Sequence, residues 1–410
     1  MATNSDNGLR AQVPSDALMG LIEQIASELH IKDYEVVCKQ QEFTGDNYCG
    51  EISRVQIKPL KGDQKALHLI VKTAPTGENS RIALPIHTVY VAEMFAYTDI
   101  IPAFYRLYDE FNVSSKDRFS SATFYKGINE EMKEIIILKD LSDDGFIMTN
   151  KRSSFDYDHT ALVLQNMARI HAPSFVMKEK HPEQFSKLLE ALPKEANFGE
   201  PLLAMIENIA GTIVDRIECP KNRSKLESFA GKIRAICTEV LDSTLSEPYN
   251  VICHGDSWNN NMLFNYNKDK KVDRVVFIDW QVVRYSSPLA DVCYALCLST
   301  DKDLLQSHLD QLLDLYYETL ELSMKNMGCD IQKSFPKEVF MEHFKKLMPF
   351  GLSMVVGALP LAMCEPGDAK QIGDYDYNEG HDVAKQIIIS DLAVRRINGM
   401  VDYFVKNDLI

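Results

Sequence analysis

The stretch from Val251 to Leu289, VICHGDSWNNNMLFNYNKDKKVDRVVFIDWQVVRYSSPL, constrains this chain more than any other. His254-Gly255-Asp256 follows an apolar run, and Asn261 comes five residues after the aspartate. Met262–Tyr266 reads as a strand, Asn267–Lys271 as a polar turn, and Arg274–Ile278 as a second strand that ends on Asp279. A β-hairpin leaves one end and returns to it. Asn261 opens the outgoing strand and Asp279 closes the returning one, so both are expected at one end, near Asp256. Two carboxylates and an amide meeting there suit a hard divalent cation such as Mg²⁺, which prefers oxygen ligands. The carboxylate that does not chelate is left to activate a hydroxyl. Taken singly, an Asp or Asn at a strand end is most often a turn residue; the spacing of the set carries the reading.

Upstream, Ala17–Glu28 has helical apolar spacing after a loose tail of residues 1–14. The period then changes to two. Glu35–Phe43, Glu51–Lys58 and Ala66–Lys72 read as strands, with His68, Ile70 and Lys72 on one face of the third. Between the first two strands lies Thr44–Gly50, TGDNYCG, where Gly45, Asp46 and Asn47 allow backbone amides to face a phosphate. An ordinary hairpin loop reads the same way. Lys72 is either a solvated strand end or a phosphate partner. Glu93, inside the expected helix Thr88–Tyr97, is either an exposed glutamate or the ion-pair partner that holds Lys72.

Ser121–Lys126 and Glu134–Lys139 bring the strands to five, and the run Ile135–Leu138 suits a buried central strand. The polar break Asp140–Gly145 sets a domain boundary, giving an N-terminal lobe of residues 1–140 and a C-terminal lobe of residues 141–410. Backbone groups of Leu138, Lys139, Asp140 and Leu141 are the candidates to hydrogen-bond an adenine in a cleft between lobes; a solvated linker is the alternative. Beyond the break the chain is mostly helical. Asp158–Ile170 is expected to end at His171-Ala-Pro, with His171 packed or capping. Further helices are expected over 201–217, 225–245, 289–300, 304–327, 339–347, 352–363 and 382–406. Asp291 suits a helix start and is placed to brace the loop that bears Asp256.

The formal net charge of −15 over 410 residues argues against wholesale nucleic-acid binding. Nine scattered cysteines form no CxxC pair, as expected of reduced, packed thiols rather than a disulfide frame or a zinc site. The polar N-terminus shows no signal peptide, and Leu352–Cys364 is too short and interrupted to span a bilayer. A cytoplasmic protein without membrane insertion is the expectation. The oligomeric state is not legible.

HGDSWNNN followed by FIDWQ resembles the catalytic loop and metal-binding aspartate of the aminoglycoside phosphotransferase and choline kinase superfamily. Within it, the chain is most similar to the insect ecdysteroid kinase-like family, which carries a GDNY loop, an EDL-like hinge, an HA-x-SF helix end, HGDxWxNN and DxQ. Here these stand as Gly45-Asp46-Asn47-Tyr48, Lys139-Asp140-Leu141, His171–Phe175, His254–Asn261 and Asp279-Trp280-Gln281. The resemblance implies an α+β, protein kinase-like two-lobe fold, with a five-stranded antiparallel sheet in the small lobe and a larger, mainly helical C-terminal lobe. It also implies ATP and Mg²⁺ as cofactors and the hydroxyl of a small molecule as acceptor, an ecdysteroid or related lipophilic alcohol or xenobiotic. Asp256 would be the base, Asn261 and Asp279 the Mg²⁺ ligands, Lys72 the partner of the α- and β-phosphates, and Glu93 the residue that holds Lys72. Lys139 stands where an acidic residue is common. Asp279 is followed by Trp-Gln rather than Phe-Gly, and no arginine precedes Asp256, unlike a protein kinase regulated by loop phosphorylation. A choline- or ethanolamine-type kinase and a catalytically silent nucleotide-binding protein are the alternatives.

Overall fold

Alternation of apolar and polar residues in the first third of the chain becomes a sheet covered on both faces. The computed structural model describes residues 9–11, 14–41, 49–193, 200–365, 367–368, 370, 374–375 and 383–410. Six strands, β1 (Leu9–Ala11), β2 (Tyr34–Gln41), β3 (Glu51–Pro59), β4 (Leu67–Thr73), β5 (Phe124–Ile128) and β6 (Ile135–Lys139), lie in the order β1-β2-β3-β4-β6-β5. Every pairing is antiparallel. The five expected strands are present. The sixth, β1, pairs with Lys39–Gln41 and lies in the expected tail. Three residues carry too little alternation to read as a strand; the open edge of β2 supplies the hydrogen-bonding groups that make them one.

Helix α1 (Asp16–Glu28), capped by Ser15, lays Leu18, Leu21, Ile22 and Ile25 on one face of the sheet, against Val55, Ile57, Leu69, Val71, Ile135 and Ile137. Ile136 and Leu138 belong to the larger core on the other face, with Tyr90, Met94 and Phe104. These come from α3 (Ile86–Phe95) and α4 (Ile101–Glu110), which follow the short α2 (Glu78–Ala83). The unbroken apolar run in β6 is thus two alternating sets, each buried on its own face. The same alternation in β4 separates Leu69 and Val71 from Lys72 and directs Lys72 toward α3.

The remainder forms a larger helical lobe around a short hairpin, the protein kinase-like two-lobe arrangement. Its elements are β7 (Ile147–Met148), α5 (Tyr157–Lys180), α6 (Pro182–Ala191), α7 (Glu200–Val214), α8 (Pro220–Ala230), α9 (Ile233–Leu241) and β8 (Val251–Cys253). The hairpin strands β9 (Met262–Tyr266) and β10 (Val272–Phe277) follow, then β11 (Arg284–Ser286) and α10 (Pro288–Ser299). The chain closes with α11 (Lys302–Asn326), α12 (Ile331–Ser334), α13 (Lys337–Gly357), α14 (Leu359–Ala362) and α15 (Asp391–Lys406).

Two helices run through prolines at or near their expected ends. α5 continues past His171 with Pro173 inside it. A proline leaves the carbonyl four residues earlier without its helical donor. Here that carbonyl, on Arg169, accepts from the Tyr108 hydroxyl at 2.6 Å, so tertiary structure repairs the gap. α13 runs through Pro349 and joins the helix expected over 339–347 to the first half of that expected over 352–363, the rest of which falls in α14. The helix expected over 225–245 is instead divided between α8 and α9. Among the described residues no helix is long and apolar enough to cross a membrane.

Candidate active site

Lys72 is the meeting point of the two lobes. Its Nζ lies 2.7 Å from Glu93 Oε2 on α3 and 2.5 Å from Asp279 Oδ1, just past the end of β10. Gln281 Oε1 stands 3.5 Å away. Burial opposes the charge on this ammonium, but the two carboxylates outweigh it and push its pKa above the usual lysine value. In Glu93 burial wins instead, and its pKa also rises. Burial first, offset by Lys72 and reinforced by the charge of Asp279, raises it to about 7. Two carboxylates share one ammonium in a dry place, and the deeper one bears the strain.

The hairpin does what its sequence requires. Met262 pairs with Phe277, and the Ile278 amide donates to the Asn261 carbonyl at 3.0 Å, so Asn261 and Asp279 sit at the same end. Asp279 takes a left-handed backbone, φ 65°, which turns the chain out of the strand. Asn261 Nδ2 donates to Asp256 Oδ2 at 2.7 Å and to the Asp256 carbonyl at 3.0 Å. The pKa of Asp256 is raised, by burial first and by the Asp279 charge, against hydrogen bonds from Tyr294 and Asn261 that favour the anion. The residues expected together, Lys72, Glu93, Asp256, Asn261 and Asp279, are therefore brought together.

The loop carrying Asp256 is held from beneath. Asp291, near the start of α10, accepts from the His254 amide at 2.7 Å and the Gly255 amide at 2.9 Å, which is the bracing expected of it. Burial alone would raise this carboxyl; the hydrogen bond and charge of His171 overcome it and hold Asp291 at about 2. His171 is fully buried, bonded to Asp291 and to the Tyr316 hydroxyl, a packed histidine as expected. His254 sits against the rings of Phe277 and Trp280 and donates from Nε2 to the Ile278 carbonyl, tying the loop to the hairpin. Burial lowers its pKa, in keeping with a neutral ring. Gly255 adopts φ +89°, and a Cβ there would lie 2.0 Å from the Val282 carbonyl oxygen, so only glycine fits.

At the hinge, the Lys139 amide is spent on Thr123 and the Asp140 amide on His68. Leu141 opens a 3-10 turn, where an N–H has no acceptor within the turn, and Leu138 pairs with Ile70 and Phe124 in the sheet. Of the four expected hinge residues, Leu141 is the one whose amide is spent neither on the sheet nor within the turn. The side chains of Lys139 and Asp140 are turned to Asp144 and Arg54. Gly45, Asp46 and Asn47 lie outside the described residues.

Divalent-cation binding fits the oxygen donors present. Asp279 keeps 18 % of its side chain exposed against 2 % for Glu93, so an ion arriving from solvent reaches Asp279 first. The amide nitrogen of Asn261 is occupied by Asp256, and its oxygen makes none of these bonds. Sequence reasoning missed Tyr294, whose hydroxyl donates to Asp256 Oδ1 at 2.7 Å. Its only signal was a tyrosine one turn after Asp291 on an otherwise apolar helix.

A model of the ecdysteroid kinase-like family matches residues 44–329. Among curated proteins none matches. An ethanolamine kinase from Plasmodium vivax is 11% identical, covers 91% of this chain and 83% of its own, and superposes with a TM-score of 0.45. A putative fructosamine-3-kinase from Haemophilus somnus is 11% identical over 95% of this chain and 96% of its own, with a TM-score of 0.40. An aminoglycoside phosphotransferase from Streptomyces rimosus, solved with ADP and streptomycin, is 11% identical over 82% of this chain and 99% of its own, with a TM-score of 0.34.

Proposed function

Since the chain belongs to the ecdysteroid kinase-like family, we propose that it transfers the γ-phosphoryl group of ATP to the hydroxyl of a small lipophilic alcohol, an ecdysteroid in the first instance. The observation that carries this reading is the convergence of Asp256, Asn261 and Asp279 with Lys72, whose ammonium comes from the facing lobe. Phosphoryl transfer asks little covalent chemistry of a protein; it asks for alignment and charge neutralisation. Asp256 orients the acceptor hydroxyl and takes its proton as the phosphoryl group arrives. Lys72, fixed by Glu93, binds the α- and β-phosphates. Asn261 and Asp279 would hold Mg²⁺, whose charge screens the phosphate oxygens. The Leu141 amide donates to the adenine, and Gly45, Asp46 and Asn47 are assigned to the phosphates. The lobes divide at residues 140 and 141. All nine cysteines are thiols rather than disulfides, and all but Cys219 are buried, which supports a reducing, cytoplasmic setting.

The test is Mg-ATP turnover against ecdysone, choline and kanamycin, for the wild type and for Asp256→Asn. Ecdysone is the expected acceptor, and Asp256→Asn is expected to lower its phosphorylation by about 10²- to 10⁴-fold. Turnover indifferent to Asp256→Asn removes the base. Transfer to choline but not ecdysone removes the acceptor class.

A further inference from the structure

We propose that Tyr294 is a positioning residue for phosphoryl transfer, fixing the plane of the Asp256 carboxylate through the Oδ1 that Asn261 leaves free. The inference rests on the kinase reading above and assigns a role that the loop sequence does not contain.

Asn261 alone does not fix this carboxylate. Its amide bonds Oδ2 and the main-chain carbonyl of Asp256, so both of its bonds lie on one side of the side chain. Rotation of the carboxylate is stopped only when the second oxygen is also held. Tyr294 supplies that hold, with its hydroxyl 2.7 Å from Oδ1. Two donors on two different oxygens define a plane and leave the remaining lone pairs for the acceptor hydroxyl. A base must present its lone pair within hydrogen-bond reach and in line with the proton it takes, so this restraint acts on the chemical step rather than on nucleotide binding.

The support behind Tyr294 is rigid. All twelve residues of α10 are buried. Asp291 and Tyr294 are three residues apart and therefore share a face of the helix. From that face Asp291 grips the backbone of the catalytic loop and Tyr294 grips its functional carboxylate. The Tyr294 ring is backed by Phe350 of α13, at 6.1 Å between centroids. α13 comes this close because Gly351 has no Cβ; one would lie 2.8 Å from the Cys293 carbonyl oxygen on α10. A phenylalanine at 294 would keep the ring and its packing and lose only the hydroxyl bond.

The experiment is a double-mutant cycle on Mg-ATP turnover, measured with ecdysone and without added acceptor, together with thermal unfolding. Tyr294→Phe is expected to lower kcat by about 10- to 100-fold, the worth of one hydrogen bond to a charged group, with KM for ATP unchanged and the melting temperature lowered by no more than about 2–4 °C. In an Asp256→Asn background the same change is expected to have almost no further effect, because Tyr294 acts through Asp256. An unchanged kcat in Tyr294→Phe, an additive loss in the double variant, or a Tyr294→Phe protein that unfolds overturns the proposal and leaves Tyr294 as packing. A wild type that turns over ATP under neither condition overturns the kinase reading and this inference with it.

Discussion

Lys72 and Asp279 are in direct contact, 2.5 Å from Nζ to Oδ1, although they lie more than two hundred residues apart. The proposed metal ligand is thus paired with the proposed phosphate ligand. A Mg-nucleotide complex must compete for both partners at once: phosphate oxygens draw Lys72 away while the cation takes Asp279. Asp279→Ala is therefore expected to weaken Mg-ATP binding by at least about tenfold, ~1.4 kcal/mol, while metal-free ATP binds as well or better, its lysine released. Calorimetric titration with and without EDTA separates the two. Equal losses in both titrations would contradict the assignment of Asp279 to the metal.

Acid stability gives an independent reading of Asp291. Its pKa in the folded chain, about 2, lies below the unfolded value near 3.8. Its contribution is therefore present above about pH 4 and is lost as the pH falls through about 2. The shift corresponds to about 2 kcal/mol. Urea unfolding of the wild type between about pH 5 and about pH 2 is expected to show this slope, and Asp291→Asn to flatten it. Parallel slopes in the two proteins would show that the carboxylate is not held as described.

Gly255→Ala introduces a Cβ 2.0 Å from the Val282 carbonyl oxygen at φ +89°. The expected cost is about 1–3 kcal/mol of stability from the backbone alone, with loss of turnover because the neighbouring Asp256 moves. A differential scan and an activity assay check both; a Gly255→Ala protein with wild-type melting and turnover would refute the backbone argument.

Tyr108→Phe removes the donor to the Arg169 carbonyl that Pro173 leaves open. Because Tyr108 is buried and Arg169 half-buried, about 1 kcal/mol of stability is expected to go, with little change in KM for ATP. Chemical denaturation measures the first and steady-state kinetics the second. A stability equal to the wild type would mean that the proline break is repaired some other way.

Much of this site was legible because its chemistry is local in sequence. Asp256 and Asn261 stand on one loop, and a hairpin of fixed length carries Asp279 back to it. Period-two alternation in β4 put Lys72 on the face opposite Leu69 and Val71, and the fold then set α3 against that face. Such patterns are set by backbone geometry within a few residues. The single strand Leu9–Ala11 escaped because its pairing depends on an edge supplied by a distant segment, and Pro173 misled because its cost is met by Tyr108, whose position the local sequence does not encode.

What the chain determined by itself is therefore the strands and hairpin that carry the candidate groups, and the order of a sheet-rich part before a helical one. What only tertiary structure decided is how those groups are held: Asp279 joining Glu93 on one ammonium, His171 and Tyr316 behind Asp291, and Tyr294 on the far oxygen of Asp256. The reason is physical. Alternation and turn spacing follow from the geometry of a few consecutive peptide units, whereas a hydrogen bond between segments tens of residues apart exists only after apolar faces have packed and fixed the distance between them.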